Sequence, residues 1–164
     1  MNNNEVILVH PPARKVIEHY DEPDYPHIGI AYVGGYLERN SKLKPYLIDA
    51  KLYRYNIRTT IDKILERNPR IVGFTAKTHE VKTAALVAEK IKEKNPNILT
   101  VLGGFHASFL PERSIKEFPS IDVIVVGEGE LSFLDLTVKH LGGESYQNIK
   151  GLVYRKGEKI INNG

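Results

Sequence analysis

Short apolar runs alternate along this chain with stripes of apolar residues spaced three and four apart. Val6-Ile7-Leu8-Val9, ending at His10-Pro11-Pro12, predicts a buried strand stopped by prolines. Residues 28–39 predict a helix, and Gly34-Gly35 inside it is costly. Either that helix packs very closely on a sheet, or something else approaches it there. Residues 45–50 predict a second strand, and Ile57, Ile61, Ile64 and Leu65 a helical stripe. Residues 70–75 predict a third strand. Val81, Ala84, Ala85, Ala88 and Ile91 mark the next helix, stopped by Asn95-Pro96. Residues 98–102 predict a fourth strand, 111–118 a short helix with proline in its first turn, and 121–126 a fifth strand. Leu131, Leu134, Val138 and Leu141 form the last stripe, ended by Gly142-Gly143.

Five repeats of strand then helix imply a parallel sheet covered on both faces, joined by right-handed crossovers. Five strands favour the flavodoxin-like (Rossmann-like) doubly wound α/β order 2-1-3-4-5 over the six-stranded dinucleotide fold. Residues 1–145 are expected to form this domain. Residues 146–164 read differently, as two short strand patterns around Lys156-Gly157, a β-hairpin signal. The chain then stops on Asn162-Asn163-Gly164, so the hairpin is expected to lead into a further domain. Residues 11–27 hold four prolines and show no periodicity. A connection of that length in a compact α/β unit is often functional.

Composition narrows the classes. With 164 residues, 41% apolar and 26% charged, the chain has the size and balance of one globular domain. No apolar run is long enough to span a bilayer, and the amino terminus is no signal peptide, so no membrane partner and a cytoplasmic location are expected. The net charge is +3, and the lysines of residues 82–94 are interleaved with Glu89 and Glu93. That pattern reads as a solvated helix face, with no nucleic-acid partner expected. Cysteine is absent, which excludes disulfides, thiolate zinc sites and iron–sulfur clusters held by this chain alone.

In the 2-1-3-4-5 order the switch point brings four strand ends together, and ligands of such folds bind there. The residues presented are His10 and Pro11; Thr75, Ala76, Lys77, Thr78 and His79; Gly103, Gly104, Phe105, His106, Ala107 and Ser108; and Gly127, Glu128, Gly129 and Glu130. Gly103-Gly104 suits either close approach of a ligand to bare backbone, or a turn glycine beside a packing glycine. His106 could bond a ligand, bind a metal or serve as a structural hydrogen-bonding residue. Glu128 and Glu130 could do acid–base work, but Glu130 sits where a helix dipole favours a carboxylate. Thr78 could contact a ligand or cap the next helix, and Lys77 could carry charge into the cleft or point to water. His10 could bond a ligand, or merely close its strand ahead of the prolines.

Neither GxGxxG nor GxxxxGK[ST] follows the first strand. The segment His10-Pro11-Pro12-Ala13-Arg14 does not resemble a flavin mononucleotide loop. The first and third strands end in His10 and Thr75, not in the carboxylates a phosphoacceptor domain needs. Instead, nearly the whole chain resembles the amino-terminal cobalamin-binding domain of the cobalamin-dependent radical S-adenosylmethionine enzymes. The features that carry this are Val9-His10-Pro11-Pro12, Ile48-Asp49-Ala50, Val72-Gly73-Phe74-Thr75, Gly103-Gly104-Phe105-His106 and Val126-Gly127-Glu128-Gly129-Glu130, together with the segment around Gly34-Gly35.

The resemblance implies cobalamin lying across the carboxyl edge, its nucleotide tail passing Gly103-Gly104 and Gly127-Glu128-Gly129. Thr75 would contact the tail, and residues 76–79 would lie under the corrin. Two departures matter. The DxHxxG motif whose histidine ligates cobalt is missing, so His10 is not assigned as a cobalt ligand and no metal-ligating residue is named. The cluster motif CxxxCxxC is also missing, so S-adenosylmethionine and a four-iron four-sulfur cluster would belong to a downstream radical domain. The chain alone is then expected to be a non-catalytic module of a larger enzyme, a methyltransferase or a cyclase. The rival expectation is a flavodoxin-like docking or oligomerisation domain that has lost its cofactor. A self-contained enzyme built on Glu128 or His106 finds no nucleophile–base pair in its support.

Overall fold

The computed structural model describes residues 5–13 and 25–164, so most of the proline-rich connection lies outside the described residues. The strands are β1 (Val6–His10), β2 (Tyr46–Asp49), β3 (Ile71–Thr75), β4 (Leu99–Gly103), β5 (Val123–Val125), β6 (Leu152–Lys156) and β7 (Lys159–Asn162). The helices are α1 (Ile28–Asn40), α2 (Ile57–Leu65), α3 (Val81–Lys94), α4 (Phe105–Phe109), α5 (Pro111–Glu117) and α6 (Gly129–Leu141). Together the strands make one sheet in the order β2-β1-β3-β4-β5-β6-β7. The first five are parallel, as the alternating pattern requires. The carboxyl-terminal hairpin does not stand apart: β6 pairs antiparallel with β5, and β7 with β6.

Strand side chains alternate between two cores. Ile7, Val9, Val72, Phe74 and Leu102 face one side, where Ile64 of α2, Ile91 of α3 and Ile115 of α5 cover them. Val6, Leu8, Ile71, Val101 and Val123 face the other, under Ile30 and Leu37 of α1 and Phe133 and Leu136 of α6. Burial on both faces explains why the central strands read as unbroken apolar runs.

The two glycines of α1 divide the options left by the sequence. A Cβ on Gly34 would lie 2.9 Å from Leu47 Cδ2 and 3.4 Å from Leu8 Cδ1, so the helix does press on the sheet there. A Cβ on Gly35 would meet nothing within 4 Å. One helix was not expected. Residues 105–109 coil directly after Gly104, and the chain then restarts as α5 at Pro111.

Candidate functional site

The parallel strands deliver their carboxyl ends to one edge, and the β3–β5 half of that edge is bare. Thr75 stands opposite Gly103, and Leu102 opposite Ile124, so the Gly127–Gly129 turn follows on the same side. A Cβ on Gly103 would come no nearer than 3.9 Å to the Val125 carbonyl and 4.0 Å to that of Phe74. Gly127, with φ +75°, would meet nothing within 4 Å, and its N–H donates to Ser108 Oγ at 3.0 Å. On Gly129, a Cβ would make ordinary contacts with Val125 and Val33 at 3.6 and 3.7 Å. The result is a strip of exposed backbone with the Thr75 hydroxyl beside it. Such a strip can take a large group that must lie close to the main chain.

Gly104 serves a different need. Its φ is +89°, and a Cβ there would lie 2.8 Å from Thr75 Oγ1 and 3.0 Å from the Ala76 nitrogen. The β3–α3 and β4–α4 connections touch at this point. The Ala76 N–H donates to the Gly103 carbonyl and the His106 N–H to the Ala76 carbonyl, each at 3.2 Å. His106 is buried, with Nδ1 3.3 Å from Thr78 Oγ1, and burial pushes its pKa down from the usual histidine value. The sequence thus placed two adjacent glycines in one motif, and the fold uses them separately. Gly104 lets two loops meet, while Gly103 leaves open floor.

The remaining candidates surround this strip. Phe105 is 70% exposed at the start of α4, Ala76 is buried, and Lys77 and Thr78 are exposed. Glu128 is exposed at the amino end of α6 and makes no side-chain capping bond, and Glu130 lies in the first turn of that helix. Thr78 does not cap α3; the residue before that helix is Glu80. Glu80 Oε2 accepts the Lys77 N–H at 2.9 Å, closing the turn between them.

The β1–β2 half of the edge is filled instead. His10 and Pro11 are buried. His10 Nδ1 lies 2.8 Å from Asp49 Oδ1, and its Nε2 lies 3.4 Å from Glu80 Oε1. Burial works against a proton on His10, but the bonds to Asp49 and Glu80 outweigh it and raise its pKa. Burial likewise works to raise Asp49 and Glu80, yet hydrogen bonds from His10 and from backbone N–H groups lower both, and hold Glu80 well below the carboxylate range. Each ring nitrogen of His10 thus faces a carboxylate, an arrangement that favours the imidazolium. Glu80 Oε1 also meets Lys51 Nζ at 3.2 Å and His79 Nε2 at 3.4 Å. Asp49 accepts the His27 N–H at 2.7 Å and the Leu52 N–H at 3.1 Å. The His27 ring lies 4.4 Å from that of His10, and its Nδ1 caps α1 by accepting the Ile30 N–H. Burial, and then the His10 charge, lower the His27 pKa.

Sequence reasoning picked out His10 but missed Glu80, and it gave Asp49 no role at the edge. The available signal was a carboxylate ending one strand and another opening a helix. Among the described residues, no group of three or more histidine, cysteine or acidic side chains is arranged to hold a metal ion. No helix among them is long and apolar enough to cross a membrane.

Comparison with known proteins shows the family of the chain as a whole. A family model described as a B12 binding domain matches residues 14–137. An uncharacterized methyltransferase of Pyrococcus horikoshii is 34% identical over 159 residues, 96% of this chain and 34% of its own length. The anaerobic magnesium-protoporphyrin IX monomethyl ester cyclase of Rubrivivax gelatinosus is 38% identical over 113 residues, 69% of this chain and 20% of its own length. The cobalamin-dependent S-adenosylmethionine radical enzyme OxsB, solved with aqua-cobalamin and S-adenosylmethionine, superposes with a TM-score of 0.80 at 26% identity, covering 96% of this chain and 22% of its own. The radical S-adenosylmethionine methyltransferase TsrM from Kitasatospora setae, solved with cobalamin and a 4Fe-4S cluster, shares the fold with a TM-score of 0.81 at 21% identity, covering 99% of this chain and 31% of its own. The chain spans about a third or less of the length of these relatives.

Proposed function

Because the chain belongs to the B12-binding domain family, whose model spans residues 14–137, we propose that its cobalamin lies on the strip formed by Thr75, Gly103 and residues 127–129. The observation that carries this placement is the side-chain-poor backbone at the carboxyl ends of β3, β4 and β5, beside the β1/β3 switch point of a 2-1-3-4-5 order. Gly103, Gly127 and Gly129 admit the group close to the main chain, and the Thr75 hydroxyl bonds its nucleotide tail. Phe105 offers an exposed ring beside it. Ala76, Lys77, Thr78 and Glu128 border the strip, and Gly104 with His106 binds the two neighbouring loops into one wall. His10 and Pro11 close the neighbouring β1 end of the same edge.

Bound cobalamin supplies a cobalt centre able to carry a methyl group. The whole protein is proposed to be a radical S-adenosylmethionine enzyme. Its radical domain would follow the β6–β7 hairpin and hold the iron–sulfur cluster and S-adenosylmethionine, since this chain has no cysteine. Methyl transfer is the first reading of its reaction. Ring-forming cyclisation is the second, favoured by the 38% identity with the Rubrivivax gelatinosus cyclase. A cytoplasmic setting goes with the proposal, because cluster-binding thiolates need reducing conditions. The docking domain without cofactor draws no support from the family match.

Anaerobic reconstitution with hydroxocobalamin tests the reading. A coloured chain with about one cobalt per molecule is expected, and Gly103→Val should abolish the colour while the circular dichroism spectrum is kept. A well-folded chain that stays colourless overturns the reading.

A further inference from the structure

The turn of residues 77–80 joins the filled half of the sheet edge to the bare half. Glu80 spends both carboxylate oxygens there. Oε2 accepts the Lys77 N–H at 2.9 Å, and Oε1 faces His10, Lys51 and His79. The turn is otherwise closed by the Glu80 and Val81 N–H groups on the Lys77 carbonyl, at 3.0 and 3.1 Å. One residue earlier, Ala76 is bonded to Gly103 and His106, and one residue later, Thr78 meets the His106 ring. A shift of the Glu80 carboxylate therefore moves the Lys77 amide and, through Ala76, the floor itself.

Three side chains hold Oε1, but they differ in rigidity. His79 is 62% exposed, and Lys51 reaches in on a long flexible stem. His10 is fixed: it leaves the last residue of β1, has two torsions, and is pinned on its other nitrogen by Asp49. Asp49 is in turn the acceptor for the His27 backbone at the start of α1.

We infer that His10 is a positioning residue that makes no contact with the cofactor: through Glu80 it fixes the 77–80 turn bordering the cobalamin floor, and through Asp49 it fixes the entry to α1. This rests on the cobalamin reading for its effect on binding. Its effect on the turn can be read without cofactor.

Two isosteric replacements separate positioning from plain stability. Asn at position 10 places its amide N–H about where Nδ1 donates to Asp49, and Gln places it about where Nε2 donates to Glu80. His10→Asn should weaken hydroxocobalamin binding about tenfold, as loss of a hydrogen bond to a buried charge predicts, and should speed exchange of the Lys77 amide by a similar factor. His10→Gln should restore both to within about threefold of the parent. A merely structural role would instead lower both measurements in step with the melting temperature of either variant.

A pH profile adds an independent reading. Lys77 amide protection in the parent, corrected for intrinsic exchange, should fall as pH rises through the raised His10 value, and should stay flat in His10→Gln. The other groups facing His10 leave this step uncrowded. Asp49 and Glu80 stay ionised, and Lys51, Lys77, His27 and His79 are shared by both proteins. Should His10→Asn not fold, Glu80→Asp keeps the charge beside His10 but draws the carboxylate off the Lys77 N–H, and must weaken binding by a similar factor. Equal cobalamin affinity and equal Lys77 exchange in parent and variants overturn the inference. A parent that binds no cobalamin overturns the reading beneath it, and Lys77 exchange then still decides whether His10 sets the turn.

Discussion

Above β1 and β2, His10, Asp49, Glu80 and Lys51 occupy the sheet edge with side chains that neutralise one another. Above β3, β4 and β5, glycines and a single threonine leave the same edge uncovered. Both halves come from parallel strands ending side by side, so the difference lies in the residues at the strand ends and in the turn after β3, which brings Glu80 to His10. Buried charges are costly unless every one is matched. Uncovered backbone costs little on folding, and it leaves room for a large flat group. The charged half is therefore the reference against which the bare half is held.

The largest effect should come from breaking the charge balance. Glu80→Ala leaves His10 and Lys51 without their shared counter-ion and should cost roughly 3 kcal/mol, read from the urea midpoint. A loss below about 1 kcal/mol would mean that these charges do not hold the filled half together. At the seam between the halves, Gly104→Ala meets Thr75 and Ala76 in a backbone conformation that side chains avoid, and should cost about 2 kcal/mol. Gly127→Ala has the same kind of backbone but open space around it, and about 1 kcal/mol is expected. Equal costs at the two positions would show that the contact with Thr75 is not real.

Gly103→Val sharpens the comparison from the bare side. Stability should stay within about 1 kcal/mol while hydroxocobalamin affinity drops at least tenfold, measured by equilibrium dialysis. Acid titration gives the smallest effect. Asp49 and Glu80 have folded values below their ordinary 3.8 and 4.5, so their contribution is intact above those values and drains away as pH falls below them. His10 runs the other way. Its folded value lies above 6.5, so its contribution is intact below 6.5 and is lost as pH climbs through the raised value. The parent should therefore show a steeper acid limb than Glu80→Gln, and identical limbs would remove Glu80 from the account.

The bare half was legible in the sequence because everything that defines it is local. Apolar runs buried on both faces mark the strands, and a glycine or threonine at the end of each run marks the edge. The filled half was not legible, because its contacts span 39 and 70 residues. Only the order β2-β1-β3 sets Asp49 and the β3–α3 turn on either side of His10. Helix α4 escaped for another reason. It is a single turn and a half whose two phenylalanines, Phe105 and Phe109, both face outward, so no buried stripe announces it.

The carboxyl-terminal hairpin carries a practical consequence for handling the molecule. Arg155 on β6 donates to the carbonyls of Ile115 in the last turn of α5, of Phe118 at its end and of Ile121 beyond it. Since β6 also seals the outer side of β5, trimming the polypeptide at residue 145 would expose a raw strand edge and remove the Arg155 donor from those carbonyls. Such a shortened product should clump in the tube, whatever becomes of the cofactor.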